Sequence, residues 1–390
     1  MAPLRIVLVL IEPPLPFGNA AARWFYVLLK GLVERGHRVT AFAACSKPDD
    51  LAKAAALFPA PAFDLRLYPF PVRSGWRAKW QTVLRPFSYM FSDDLRRDLT
   101  ATLAQGFDIL HLEQTWAGWL GLEHVDRALI NVHYLAAIDL GEQQPRTLRE
   151  AIERFLVFRT EARLIRKFRH FRTVSPRLEG PLLAFNPHAL VRTVPLGLDY
   201  GLYPYIPDES RTEGRTLTLI GSMGWAPSHS AAVRLLTRLW PSIKQRVPDA
   251  KLQIVGWSAR EKLVDYLGLP DVTIAENVPE TRPYFEQASV MLYAPSRGSG
   301  MKVKIQEAMA FGVPVVTTSE GVEGLPALDG LHAGICDDDS GLIDRTVNLL
   351  LHPDRQNHQR RAARQLLEQH CGSAPTLNSL DACYHDLLLS

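Results

Sequence analysis

Residues 295–316 read PSRGSGMKVKIQEAMAFGVPVV. The apolar run Val290–Tyr293 precedes this stretch, and a second run, Val313–Thr317, closes it. Short apolar runs bounded by turn residues predict two buried strands with a helix between them. Gly298, Ser299 and Gly300 then occupy the loop at the carboxyl end of the first strand, and the helix starts near Met301 or Lys302. Free N–H groups at a helix start attract anions, and glycines let a phosphate approach the backbone. Lys302 and Lys304 in the first turns, with Arg297 in the loop, add positive charge. Such charge opposes the helix dipole, so the arrangement is poor without a ligand. The stretch therefore predicts a phosphate or diphosphate site. Lys304 and Glu307 are three apart on one helix face. There Glu307 can accept hydrogen bonds from a sugar diol. The same spacing also suits an ordinary surface ion pair.

Outward from this stretch, short apolar runs alternate with amphipathic segments along nearly the whole chain. Strands are expected at Arg5–Ile11, Arg38–Ala44, Asp64–Tyr68, Ile109–Leu112, Leu129–His133, Arg172–Val174 and Val191–Val194. After Gly214 the rhythm restarts with Leu217–Ile220, Leu252–Val255, Val272–Ile274, Val290–Tyr293, Val313–Thr317 and Ala333–Cys336. Helical spacing marks Ala21–Arg35, Arg146–Phe168, Ala231–Arg246 and Asp344–His352. Strand–helix alternation predicts parallel sheets covered on both faces, an α/β class. The polar, aperiodic stretch Tyr200–Arg215 is the best linker candidate. Two doubly wound Rossmann-like domains are thus expected, over 1–203 and 204–375, with a final amphipathic segment at 376–390.

The chain has 390 residues, 47% of them hydrophobic, enough for two domains each with a core. Net charge is +3. Residues 1–200 hold 26 Lys/Arg against 19 Asp/Glu, and the remainder 18 against 22. That excess is too small to argue for nucleic acid. Cys45, Cys336, Cys371 and Cys383 form no CxxC and have no His cluster, which predicts free thiols in a reducing compartment. The opening MAPLRIVLVLIEPP reads as a buried strand rather than a signal, because Glu12 and two prolines close it. No apolar run reaches the ~20 residues of a membrane span. The expectation is a cytoplasmic protein, with any membrane contact peripheral.

GMKVKIQEAMAFGVPVV resembles the nucleotide-sugar motif of the retaining glycosyltransferases of family 4, which have the GT-B fold. IGSMGWAPSHSAAVRLL resembles the start of that family's second domain, and GHRVTAF the end of its first βαβ unit. LQIVGW, RTVSPRLEG and VPLGLD resemble further landmarks in the right order. The resemblance covers nearly the whole chain. It implies an enzyme moving a hexose from a UDP- or GDP-sugar to a glycan, lipid-linked or small-molecule (natural-product) acceptor, as in polysaccharide biosynthesis. It implies no cofactor and no metal, with the last segment crossing back onto the first domain. Within the GT-B enzymes, an epimerase or a non-glycosidic coupling enzyme is the alternative. Outside enzymes, it is an inactive partner subunit.

The resemblance assigns Glu307 to the ribose. It assigns Lys302 and Lys304, with the Gly221 and Gly300 backbone, to the diphosphate, and Ser222, Arg297, Gly298, Ser299 and Met301 to the donor loops. Two departures stand out. Many members carry two glutamates flanking seven residues, and the first falls here on Ser299. Many also carry an Arg and a Lys where this chain has GSMGWAPSHSA.

In the first half, EPPLPFGNAAARW places Gly18 and Asn19 in the loop after strand one. A tight turn is the plain reading; in the family this loop lies near the donor phosphates and acceptor. His133 ends the strand in LINVHYLAA, where a lone His is most often structural. In the family that position contacts the transferred sugar. His111 and Glu113 end the preceding strand and are candidates for the acceptor side. CDDDSGL offers an Asp-x-Asp, read as helix caps rather than a metal site. RSGWRAKWQTVLRPF and RTEARLIRKFRHFR mix basic and aromatic residues. Both suit solvated helix faces, and also an anionic membrane or a phosphorylated acceptor.

Overall fold

A computed structural model describes residues 2–141, 145, 147–207, 209, 214–295 and 298–389. The chain divides into two compact units, Met1–Leu198 with Ser373–Ser390, and Asp199–Gly372.

In the first unit the strands are β1 (Arg5–Leu10), β2 (Arg38–Cys45), β3 (Asp64–Pro69), β4 (Ile109–Glu113), β5 (Ala128–Val132), β6 (His170–Thr173) and β7 (Leu190–Thr193). Among the described residues they form one parallel sheet in the order β3-β2-β1-β4-β5-β6-β7. Its register sets Ile6 beside Val39 on one side and Ile109 on the other. The strands β1, β4 and β5 are buried almost end to end, as a sheet covered on both faces requires.

The second unit repeats the plan with β8 (Thr216–Ile220), β9 (Lys251–Gly256), β10 (Val272–Glu276), β11 (Val290–Tyr293), β12 (Val315–Thr317) and β13 (Gly334–Ile335). Their order is β10-β9-β8-β11-β12-β13, again parallel. Both sheets reverse direction once, between β1 and β4 and between β8 and β11. A doubly wound sheet binds ligands outside the carboxyl ends of its strands at such a reversal.

The described residues at the start of the expected linker pack on the second unit. The Ile206 amide donates to Phe311 O at 3.1 Å, and Arg364 donates to Tyr203 O at 2.7 Å. Arg364 also lies over the Tyr200 ring and Arg360 over the Tyr205 ring. Aromatic side chains hold a segment that composition alone reads as loose, so the division falls before Tyr200 rather than after Tyr203.

The last helix, Ser373–Leu389, packs on the helix Ala20–Glu34 of the first unit. Gly31 admits it: a Cβ there would lie 2.1 Å from Leu377 Cδ1. Arg35 reaches Asp381 at 2.5 Å and Asn378 Oδ1 at 2.7 Å. Among the described residues no helix is long and apolar enough to cross a membrane.

Candidate functional site

The β8–β11 reversal brings two loops together. One follows β8 through Gly221 and Ser222. The other runs from β11 to the helix Val303–Ala310, whose N-cap is Lys302. Gly300 sits at φ +83°, a left-handed conformation that favours glycine. Gly298 packs on Pro227: a Cβ there would lie 3.2 Å from Pro227 Cγ. Ser299, Met301 and Glu307 are largely buried, and Ser222 is exposed. Arg297 lies outside the described residues.

Lys304 holds the centre of this site. Its Nζ donates to Ser228 Oγ at 2.5 Å and lies 4.5 Å from the Tyr293 ring centroid. Gly221 makes room for it, since a Cβ there would be 2.5 Å from Nζ. Burial, and then the neighbouring Lys302 charge, lower the Lys304 ammonium to about 7, while Glu307 opposes the shift. An ammonium poised this way gains its full charge when an anion arrives. Ser228 lies in the stretch that lacks the family's Arg and Lys, so a hydroxyl stands against Lys304 there.

Lys302 behaves differently from the expectation. Its Nζ turns back, donating to Gly300 O at 2.6 Å and lying 3.6 Å from Glu323 Oε2. Glu323 Oε1 in turn accepts the Gly300 N–H at 3.1 Å. Lys302 and Glu323 thus clamp Gly300 from both sides. Glu323 comes from the loop after β12 and is buried. The Gly300 amide is engaged by Glu323 and the Gly221 amide by Val255 O at 2.9 Å. These two backbone donors are therefore occupied in this conformation, against the expectation that they meet a diphosphate. The reason is geometric: β8 continues its ladder through Gly221, and the glycine loop folds on Glu323.

In the first unit, β4 and β5 deliver a second cluster. His133 follows β5, and its Nε2 lies 2.6 Å from Glu113 Oε2 at the end of β4. Asn131 donates to the same oxygen at 2.6 Å, and Trp24 donates to Oε1 at 3.0 Å. His111 Nε2 is 3.1 Å from Oε1, and its Nδ1 is 2.6 Å from Tyr384 OH of the last helix. Burial alone would raise the Glu113 carboxyl, but His111 and His133 bring it well below the usual carboxylate range. Arg172, fully buried, donates to Asn131 Oδ1 at 2.9 Å and lies over the Trp24 ring. Its charge offsets that of Glu113, as a buried carboxylate needs.

His111 and Glu113 are 0% exposed, so neither faces an acceptor as expected. They lie beneath His133, which keeps 10% of its side chain exposed. Gly18 is exposed at φ +93°, and Asn19 caps the first helix by accepting the Ala22 N–H at 3.0 Å. Asn19 also donates to Glu12, whose carboxyl burial pushes up. Glu161, which the sequence reading missed, accepts the Ala136 and Ala137 amides at 2.9 and 3.0 Å, just past His133.

Two further expectations are corrected or refined. Asp337 accepts from Ser319, Asp338 caps the helix Asp339–Leu351, and Asp339 pairs with Arg234 and Arg238. No group of metal-ligating side chains occurs among the described residues. In RTEARLIRKFRHFR the apolar Leu164, Ile165, Phe168 and Phe171 are buried while Arg163, Arg166, Lys167 and Arg169 are exposed, the pattern of a solvated face.

Residues 21–201 match the family model described as Glycosyltransferase Family 4, and residues 214–352 match Glycosyl transferases group 1. No curated protein shows significant sequence similarity to the chain. Among solved structures, a sucrose-phosphate synthase from Thermosynechococcus elongatus is similar, with TM-score 0.73 at 15% identity over 98% of this chain and 99% of that one. HepE from Anabaena, solved in complex with UDP and glucose, has TM-score 0.68 at 12% identity over 98% and 100%. WaaG, a glycosyltransferase involved in lipopolysaccharide biosynthesis, has TM-score 0.69 at 14% identity over 97% and 99%. At these identities the likeness carries the fold. Together, the two family matches span both units and join the two doubly wound sheets to one lineage: the chain belongs to the family 4, group 1, glycosyltransferases of the GT-B fold.

Proposed function

We propose that this glycosyltransferase is retaining, works without a metal ion and moves a hexose from a nucleoside diphosphate sugar to a glycan, lipid-linked or small-molecule acceptor. The observation that carries the reading is the poised Lys304 ammonium at the β8–β11 reversal, with Ser228, Tyr293 and the bare Gly221 around it. Lys304 meets the diphosphate and stabilises it as negative charge develops on the leaving group. Glu307, on the same helix, accepts the ribose hydroxyls. Lys302 and Glu323 hold the Gly298–Met301 loop in place. HepE, a protein of the same fold, has been solved with UDP-glucose, which favours a uridine donor over a guanosine one.

On the first unit, His133 contacts the transferred sugar as it becomes cationic. Its partner Glu113 holds the ring and keeps Nε2 engaged. Gly18 and Asn19 shape the neighbouring loop. The same-face course of a retaining enzyme leaves acceptor deprotonation to the departing phosphate. The free thiols suit a reducing, cytoplasmic setting.

The test is nucleotide release from a panel of UDP- and GDP-sugars, with the product anomer assigned by NMR. Release from a donor with retention of configuration is expected. Inversion, or no release from any donor despite tight UDP or GDP binding, overturns the proposal.

A further inference from the structure

We propose that the helix Gly75–Leu84 docks on an anionic lipid bilayer, with Trp76, Trp80, Val83 and Leu84 entering the headgroup region. The observation is an inverted amphipathic helix. Trp76, Trp80, Val83 and Leu84 are 68%, 59%, 42% and 65% exposed. At the helical period these positions fall in one outward arc of roughly 100°. The opposite face, Ala78 and Thr82, is turned towards the protein. Arg73 fastens it there, donating to Thr82 Oγ1 at 2.6 Å and to Ala78 O. A surface helix ordinarily buries its apolar face. Here the small, weakly polar face is inward, and two tryptophans and two aliphatic side chains point to solvent. Val72, just before the helix, is fully exposed as well.

A second helix carries a matching stripe. Leu148, Ile152 and Phe155, at i, i+4 and i+7 of the helix Leu148–Ile165, are 79%, 51% and 62% exposed. Both helices are tied to the segment Thr115–Leu120. The Arg85 guanidinium, at the end of the first, lies 5.6 Å from the Trp119 ring, and Arg163 of the second lies 5.7 Å from it. Trp119 Nε1 donates to Pro86 O at 3.0 Å. The two helices therefore share one neighbouring element in the first unit.

Charge decides the occupant. Residues 70–92 hold Arg73, Arg77, Lys79 and Arg85 and no acidic residue. A second copy seated on the same patch would bring like charges together, because a two-fold interface is self-complementary. Anionic headgroups complement the charge, and tryptophan favours the membrane–water boundary. Basic residues beside a Trp-bearing apolar arc are the pattern of an interfacial helix. This surface belongs to the first unit and its assignment stands whether or not the donor assignment holds.

The experiment is co-sedimentation of the full chain with vesicles of phosphatidylcholine alone or mixed with phosphatidylglycerol, alongside its molar mass by light scattering without lipid. Binding to the mixed vesicles is expected, with quenching of tryptophan fluorescence by brominated lipid. Trp76→Ala/Trp80→Ala should lower that binding roughly tenfold or more, the scale expected for removing two interfacial aromatic anchors. Lys79→Glu should weaken binding to the mixed vesicles and leave the residual binding to phosphatidylcholine unchanged. Thermal melting checks that the variants fold. Equal binding by the wild type and the tryptophan variant, or no binding to the mixed vesicles, overturns the proposal. So does a dimeric mass without lipid that the tryptophan variant abolishes, which would assign the face to a second copy.

Discussion

Glu113 Oε2 lies 2.6 Å from His133 Nε2, and the Glu113 side chain is 0% exposed. Trp24, His111, Asn131 and His133 meet its oxygens, so its effect on a reaction passes through the imidazole. Glu113→Gln keeps the shape and removes the charge that holds the ring. We expect kcat to fall by roughly tenfold, about 1.4 kcal/mol, with UDP affinity within about twofold. His133→Ala should lower kcat in the same way, and the double variant should lose little more than the worse single one. Initial rates beside calorimetry read this out. Loss of UDP affinity in Glu113→Gln would mark it as a purely structural residue.

Lys304 makes a pH-dependent prediction. Its folded pKa, lowered to about 7, must rise when an anionic diphosphate binds, so binding takes up a proton above pH 7. UDP affinity should be full below that pH and fall as pH rises through it, by up to about tenfold per pH unit. Calorimetry in buffers of different ionisation enthalpy should detect the proton uptake at pH 8. Lys304→Met should abolish both the uptake and the slope.

Gly221→Ala places a methyl group 2.5 Å from Lys304 Nζ and 3.1 Å from Ser228 Oγ. The ammonium is the end of a flexible chain and will move aside. The fold should survive, while UDP binding weakens by several-fold, roughly 1 kcal/mol. Equal thermal melting with weaker UDP binding is the expected pair of results.

Glu307→Ala should weaken UDP binding by roughly tenfold or more, a loss of at least about 1.4 kcal/mol. A 2′-deoxy, 3′-deoxy nucleotide should lose correspondingly less on the variant than on the wild type. Equal losses on both would remove Glu307 from the ribose.

Chelation is the fifth test. EDTA should leave initial rates unchanged, because the aspartates of Asp337–Asp339 are committed to Ser319, a helix start and two arginines. Activity lost to EDTA and restored by Mn²⁺ would reverse this expectation.

The strands were legible because a parallel sheet covered on both faces imposes a local pattern: apolar runs of a few residues punctuated by loops. The runs at Val290–Tyr293 and Leu217–Ile220 show this, while the reversal between β8 and β11 appears only in the folded sheet. The glycine loop after β11 and the helix start that follows it were legible for the same reason, since helix starts and left-handed loops are short-range features.

Other relationships depend on residues far apart in the chain, and no periodicity encodes them. Glu323 against Gly300 and Lys302, Ser228 against Lys304, and Tyr384 against His111 exist because helices and loops from distant parts of the chain pack against one another. Sequence could name Lys302 and Lys304 as equal candidates. Only packing separates them, leaving Lys302 beside a carboxylate and Lys304 against a hydroxyl and an aromatic ring. The same holds for His111 and Glu113: a residue type at a strand end suggests exposure, but burial is set by what the last helix and Trp24 lay over it. A side chain's charge state and reach follow from the atoms that replace its water. Those atoms come from distant parts of the chain.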